Sequence, residues 1–452
     1  MTLTIQASTV IKGQTTVGFS PASLFSAGEQ GVWYDPSDMS TMFQDSAGTT
    51  PVTAVEQPVG RILDKSGRGN HATQATAGSR PTLSARVNLL TKTEDFSNAV
   101  WVRNANTNST ATKISAAVTG TTNFVQVTQV ASKAAASLVY TYVVEIKRDE
   151  LQYASPGVSD NGANGIYCRI NLADGSVYVA PTAYGTGFSG TVSTSVLSDG
   201  YVRVIWTITT NAATSIAAAV SGHKLSDASN TSYTAGEGVL VRNADLRLTN
   251  QGVGLPAYQR VNTATDYDTT GFPMYLKFDG SATWMATANI NLASTASATY
   301  WIGLGKDSDA AWKWAFNFGN PYLTQSGSFG LTAPENLAPD YGFSVRGSSL
   351  ALYAPTSYAA PITSVASCAI NITGAAKTDV LAPRINGVLK QSGGSGTTTG
   401  ATAFGNYPLT LGLNGSQTLN GRIYSLIVRG AASTSAQIAA TEAYVNSRTK
   451  AY

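Results

Sequence analysis

Apolar and small polar residues alternate along most of this chain, and the alternation predicts strands. Val, Ile, Tyr and Thr recur between Gly, Asp and Asn punctuation over 137–147, 165–172, 176–180, 201–210 and 238–248. Such runs suit a pleated, half-buried surface. The pattern resumes after Met274, over 275–278, 298–304, 312–318, 342–345, 350–353, 367–372, 384–389, 409–413 and 422–428. Asp174-Gly175, Asp199-Gly200 and Asn386-Gly387 read as turns, because tight hairpins need residues that accept positive φ. Only the C-terminal stretch has a helical period. Thr434 and Gln437 have capping-box spacing, and Ala436, Ala440 and Tyr444, with Ile438 and Val445, form an apolar stripe. Short strands without helical periodicity predict an all-β fold of sandwiches, closed by one C-terminal helix.

Composition narrows the picture. The 452 residues suffice for two or three domains with substantial cores. Charged residues make up 12%, about half the usual ~25%, as expected of an extracellular or assembly protein. Lys and Arg exceed Asp and Glu by 29 to 26, with no basic run longer than Lys147-Arg148. A phosphate footprint needs concentrated positive charge, so nucleic-acid binding is not expected. Cys168 and Cys368 lie far apart, and His71 and His223 are the only histidines; neither a disulfide framework nor a zinc site follows. No apolar run is long enough to span a membrane. The opening Met1-Thr2-Leu3-Thr4-Ile5 lacks the basic start and apolar core of a signal peptide, so synthesis in a cytoplasm is expected.

One loop organises the first part of the chain: Asp64-Lys65-Ser66-Gly67-Arg68-Gly69-Asn70-His71-Ala72-Thr73. With the later strand Tyr275-Leu276-Lys277-Phe278-Asp279-Gly280, it resembles concanavalin-like (LamG-type) β-sandwiches, in which such a loop and such a strand are normally close in sequence. Here about 200 residues separate them. Together with Trp33-Tyr34-Asp35-Pro36-Ser37-Asp38, Phe43 to Val52 and Gly421 to Gly430, these segments resemble a module of tailed-phage and prophage structural proteins. A second resemblance opens at Asn88-Leu89-Leu90-Thr91-Lys92-Thr93-Glu94-Asp95-Phe96 and closes at Leu255-Pro256-Ala257-Tyr258-Gln259-Arg260-Val261. It is to a carbohydrate-binding-module-like jelly roll. Where that family carries a G-A-Q-L-E strand, this chain reads Asn243-Ala244-Asp245-Leu246-Arg247, reversing a charge. The resemblances imply two nested sandwiches: a concanavalin-like one from 31–87 and 264–452, interrupted by a jelly roll at 88–263, with 1–30 as an N-terminal arm. They also imply a virion component, either a tail fibre, spike or surface decoration with host-attachment function, or a cement or adaptor. Partners would be other virion proteins reached through the arm, further copies of the chain in a symmetric oligomer, and a host cell-surface glycan.

Catalytic chemistry has little to stand on. There is no G-x-S-x-G elbow, Walker loop or H-E-x-x-H. A glycosidase needs two carboxylates flanking a groove, and only Glu145, Glu237 and Glu442 fall near regular elements; no catalytic residue is assigned and no enzyme is expected. Glycan binding needs aromatic faces and a few polar groups. Trp312 and Trp314, on one side of the 312–318 strand, with Tyr322, and Tyr178 with Tyr184, are the carbohydrate-binding candidates. Trp33, Trp101, Trp206, Trp284 and Trp301 read as core residues. No cofactor is required; calcium, common in these folds, would use Asp64, Asn70, Asp279, Asp307 or Asp309, which turn formation explains equally well.

Overall fold

The computed structural model describes residues 19–122, 124–229, 231–310, 312–319, 325–336, 338–396, 401–413 and 415–452. The all-β expectation holds: the strands form two pairs of large sheets whose ladders are antiparallel. One eight-stranded sheet runs Val388–Leu389, Leu381–Ile385, Ile362–Asn371, Ser297–Lys306, Asn420–Arg429, Tyr275–Asp279 and Thr82–Ser84, with Gly31–Tyr34 also paired to Asn420–Arg429. Against it packs a nine-stranded sheet that begins at Met42–Phe43, Arg61–Ile62 and Ala72–Thr73. It continues through Met285–Asn291, Asn406–Leu411, Trp314–Phe318, Ser328–Thr332, Gly342–Arg346 and Leu350–Tyr353. Tyr34, Ile62 and Leu83 share one buried cluster with Phe278, Tyr300, Phe316 and Leu426. Strands before residue 85 and after residue 274 therefore build a common core.

The intervening strands keep to themselves. A six-stranded sheet has the order Val177–Tyr184, Gly165–Asn171, Tyr153–Ser159, Ser215–His223, Val125–Ser132, Val102–Arg103. A second six-stranded sheet has the order Ser189–Val196, Val202–Thr209, Val139–Arg148, Gly238–Leu248, Lys113–Ala116, Thr107–Ser109. Their inner faces enclose a separate core around Trp101, Tyr142, Cys168, Trp206 and Leu246.

Polar side chains stitch the chain where it passes between these two cores. Gln259 Oε1 accepts from the backbone N–H of Val87 and Asn88 (2.8 and 3.0 Å), and Asn88 Nδ2 donates to the carbonyls of Ala244 and Gln259. Here the charge reversal has a physical account. The Arg247 guanidinium pairs with buried Asp245 and donates to the Pro256 carbonyl, while Asp245 accepts from Gln259 N–H. Burial raises the Asp245 carboxyl, and Arg247 opposes that shift by favouring the charge.

Several expectations change. Residues 1–18 of the expected arm lie outside the described residues; 19–30 are no free arm, because Leu24 and Phe25 bury against Trp33, Trp301 and Val445. The helix Ser435–Thr449 starts at its expected capping box. Of the expected stripe, Val445 is buried and Ile438 and Tyr444 pack on the Trp33 and Trp301 cluster, but the buried face also takes in Thr441, Glu442 and Thr449, and Ala436 is exposed. That face tolerates polar groups because Ser367 donates to Glu442 at 2.6 Å, Arg384 pairs with it at 2.8 Å, and the threonine hydroxyls bond the preceding turn. Trp284 is half-buried, whereas Trp33, Trp101, Trp206 and Trp301 are buried as expected. The hairpin at Asn386-Gly387 forms, with φ of 49° and 76°.

The Asp64 loop is a structural turn. The Asp64 carboxylate accepts from Trp33 N–H (2.9 Å), Ser66 N–H (2.8 Å), Ser66 Oγ (2.7 Å) and Asn70 N–H (3.0 Å). His71 Nδ1 accepts from Asp64 N–H at 3.0 Å. Partial burial and the nearby Arg61 charge lower the His71 pKa, which suits a neutral ring accepting that bond.

Candidate functional site

A groove built from chemically useful residues lies on the outer face of the six-stranded sheet that contains Tyr153–Ser159. Strand alternation sends Ala154 and Val158 into the core and turns Ser155, Gly157 and Ser159 outward. On the neighbouring strand Ala219, Ser221 and His223 face the same way, with Ser155 opposite Ser221 and Gly157 opposite Ala219. These small side chains make a low floor. Higher walls rise on both sides, from Tyr167, Arg169 and Tyr184 on one flank and Gln126 and Phe124 on the other; the cavity between them holds about 220 Å³.

Local irregularity shapes the floor. Pro156 cannot donate to a ladder, and pairing with Gly165–Asn171 is recorded for Ala154 and Gly157 but not for the two residues between them. The next ladder shifts register around Arg169, as bulges do where they re-aim a side chain. A Cβ on Gly157 would stand 2.7 Å from the Ile166 carbonyl oxygen and 3.1 Å from Tyr167 Cβ, so only glycine leaves the strands close and the floor flat. The Tyr184 ring lies over Gly165, where an added Cβ would meet its hydroxyl at 2.5 Å.

The polar groups on this floor are held and incompletely used. Ser221 Oγ donates to the Ser155 carbonyl (3.0 Å) and sits 3.1 Å from His223 Nε2, while the His223 ring packs 5.7 Å from Phe124. Ser155, 9% exposed, has a buried hydroxyl with no hydrogen-bond partner among the described residues, and the same is true of Arg169 Nε. Arg169 lies over the Tyr167 ring at 5.6 Å and donates through Nη1 to the Ser226 carbonyl. Tyr178 donates to that same carbonyl at 2.7 Å. Burial raises the pKa of both Tyr184 and Tyr178, the latter to about 12, so both hydroxyls remain donors near neutrality. A buried donor without a partner costs about 1–3 kcal/mol, a cost that an acceptor-bearing ligand would remove. The arrangement can stack a ring on tyrosine and hydrogen-bond its hydroxyl or carboxylate groups.

The aromatic candidates separate. Tyr184 lines the groove, while Tyr178 packs on Tyr153 at 5.3 Å and pins the loop at its end. Trp312 precedes the strand, which begins at Trp314; with φ of 35° it does not obey the alternation that would put both indoles on one side. Trp314 is 5% exposed and donates to Gln417 at 2.9 Å, whereas Trp312 is 43% exposed. Tyr322 lies outside the described residues. Sequence reading missed Ser155, Tyr167, Arg169 and Ser221, and it weighed His223 as a zinc ligand. The strands Tyr153–Ser159 and Ser215–His223 are rich in Ser, Ala, Gly and Pro, weak β formers that conceal them.

The carboxylates have structural partners. Glu145 is 1% exposed and held by Arg203 and Arg242 at 2.7 and 2.6 Å. Asp279 accepts three backbone N–H groups of its own turn; although burial works against the charge, these bonds hold its carboxyl well below the usual range. Asp307 pairs with Arg422 and Asp309 with Lys306. No cluster of three or more metal-ligating side chains occurs among the described residues.

No family model and no curated protein sequence matches the chain. Among solved structures it is similar to the CBM40 module of Ruminococcus gnavus IT-sialidase bound to α2,3-sialyllactose, at 14% identity and a TM-score of 0.27, covering 37% of this chain and 95% of that one. It is similar to Trypanosoma rangeli sialidase in complex with sialic acid at 10% identity and a TM-score of 0.28, covering 62% of this chain and 48% of the sialidase. The third is the mouse laminin α1 chain, domains LG4-5, at 11% identity and a TM-score of 0.25, covering 66% and 88%. The likeness is one of β-sandwich architecture, already evident in the sheets, and no groove residue is assigned from it.

Proposed function

We propose that this chain is a glycan-binding structural component on the surface of a tailed-phage virion, with the Ser155–Tyr167 groove as its sugar-binding surface. The observation that carries the binding half is the pair of buried, unpartnered donors, Ser155 Oγ and Arg169 Nε, beside the Tyr167 ring. The virion half is supported by the sequence resemblance around residues 24–83, 275–287 and 421–430. We read 31–87 with 264–452 as one unit and 88–263 as a second inserted into it, a reading supported by their separate cores. Binding without catalysis is favoured because the groove's lining contains no Asp or Glu among the described residues, whereas most glycosidases use two. Array screening against bacterial surface glycans tests the reading. A hit should weaken about tenfold in both Tyr167→Ala and Ser155→Val, the loss expected when one contact of about 1.4 kcal/mol is removed. An array silent at high protein concentration would leave the chain as an adaptor between virion proteins.

A further inference from the structure

A second polar cavity lies where the two pairs of sheets meet, and its charges do not balance. Lys277 and Arg422 are direct cross-strand partners on Tyr275–Asp279 and Asn420–Arg429, so their side chains leave the same face of the sheet. Like charges placed directly opposite repel. One anion, Asp307, serves this pair, and it is spent on Arg422, with Oδ1 2.6 Å from Nη2. Lys277 is exposed and has no ion pair among the described residues. Both cations line a cavity of about 450 Å³, which also takes in Arg86, Ser84, Gln251 and Glu56. Glu56 accepts from Ser84 Oγ and Tyr267 OH (2.5 and 2.6 Å), and its charge offsets that of Arg86, which donates to three backbone carbonyls; three cations thus face two anions.

Two buried atoms in this cavity make no well-formed hydrogen bond among the described residues: Arg422 Nη1, on a residue 7% exposed whose guanidinium also faces the Tyr424 hydroxyl, and Gln251 Oε1, an acceptor on a residue 6% exposed. Both residues also line an adjoining cavity of about 250 Å³, so the space around them is continuous. The Arg422 guanidinium lies over the Tyr275 ring at 5.4 Å, and an added Cβ on Gly305 would stand 3.2 Å from Arg422 Cβ. The cation is thus held in place before any ligand arrives.

We propose that this junction binds a carboxylated sugar: its carboxylate bridges Lys277 and Arg422 Nη1, and one of its hydroxyls donates to Gln251 Oε1. A donor and an acceptor without well-formed bonds, beside an uncompensated cation in one cavity, call for an anion that also carries hydroxyls, and the volume suits a mono- or disaccharide. The site is independent of the groove on the other sheet.

Calorimetric titration of the whole chain with D-glucuronate at low ionic strength, beside D-glucose, tests it. Glucuronate should bind saturably and at least tenfold more tightly than glucose. Lys277→Ala, a change at an exposed position, should lose about tenfold, and Gln251→Leu should lose several-fold while leaving the weak glucose response unchanged. Tyr167→Ala, in the other groove, should leave glucuronate binding intact; loss there would assign the acid to the groove and overturn the junction site. Equal binding of glucuronate and glucose, an unaffected Lys277→Ala, or binding of inorganic sulfate with none of glucuronate would each overturn it as well.

Discussion

Glu145→Gln separates a structural carboxylate from a catalytic one. Glu145 Oε1 accepts from Arg203 Nε at 2.8 Å and lies 2.7 Å from Arg203 Nη2; Oε2 accepts from Arg242 Nε at 2.6 Å and Asn243 Nδ2 at 3.0 Å. A glutamine amide keeps one oxygen and turns an N–H₂ toward the other arginine. The charge is lost for both arginines and the bond for one. Hydrogen bonds to charged groups contribute roughly 1.5–3 kcal/mol each, so two weakened arginine contacts amount to about 3–6 kcal/mol before solvent is counted. The arginine side chains are 33% and 31% exposed, and water recovers part of that loss, leaving about 2–3 kcal/mol. In a unit of this size that is a fall in Tm of about 5–10 °C. Differential scanning calorimetry reads the fall. Hydrogen exchange should localise it to Val139–Arg148 and its partners Val202–Thr209 and Gly238–Leu248. A change below about 1 °C would refute the reasoning, and loss of glycan cleavage at unchanged Tm would make Glu145 a catalytic group.

Two further perturbations bear on the turns and the groove. Gly157→Ala should destabilise the chain by about 1–3 kcal/mol through strand separation and weaken glycan binding together with it; urea unfolding and array binding check the two effects. The His71 pKa is lowered in the fold, so its contribution is present above the unfolded value of about 6.5 and is lost as pH falls through the folded value. Tm should therefore drop as the buffer is taken from pH 7 to about pH 5. His71→Gln, whose amide oxygen can take the Asp64 N–H bond without titrating, should flatten that slope.

Much of the local structure is legible in the sequence because its causes are local. Period-two alternation names most of the long strands of the second six-stranded sheet, and Thr434 with Gln437 marks the start of the helix. Asn386-Gly387 marks its hairpin for the same reason. The helix's contact face is legible only in part: Ile438, Tyr444 and Val445 do pack on the Trp33 and Trp301 cluster, but its polar members are not foreseen. Glu442 looks like a solvent residue until Arg384 and Ser367 are brought to it from distant strands. Trp312 fails in the same way, since a left-handed φ just before the strand breaks the alternation on which its partnership with Trp314 rested.

The groove was hidden by the property that makes it a groove. Ser155, Gly157, Ala219 and Ser221 are too small and too weakly β-forming to announce strands, and they become a floor only when two such strands lie side by side between taller neighbours. By itself the sequence determined an all-β chain, its turns, its terminal helix and the breadth of its cores, because burial period and turn chemistry are written residue by residue. Tertiary structure alone decided which outward faces meet. Ser155 opposite Ser221, and Lys277 opposite Arg422, follow from pairing between segments far apart in the chain, and no local pattern encodes that register.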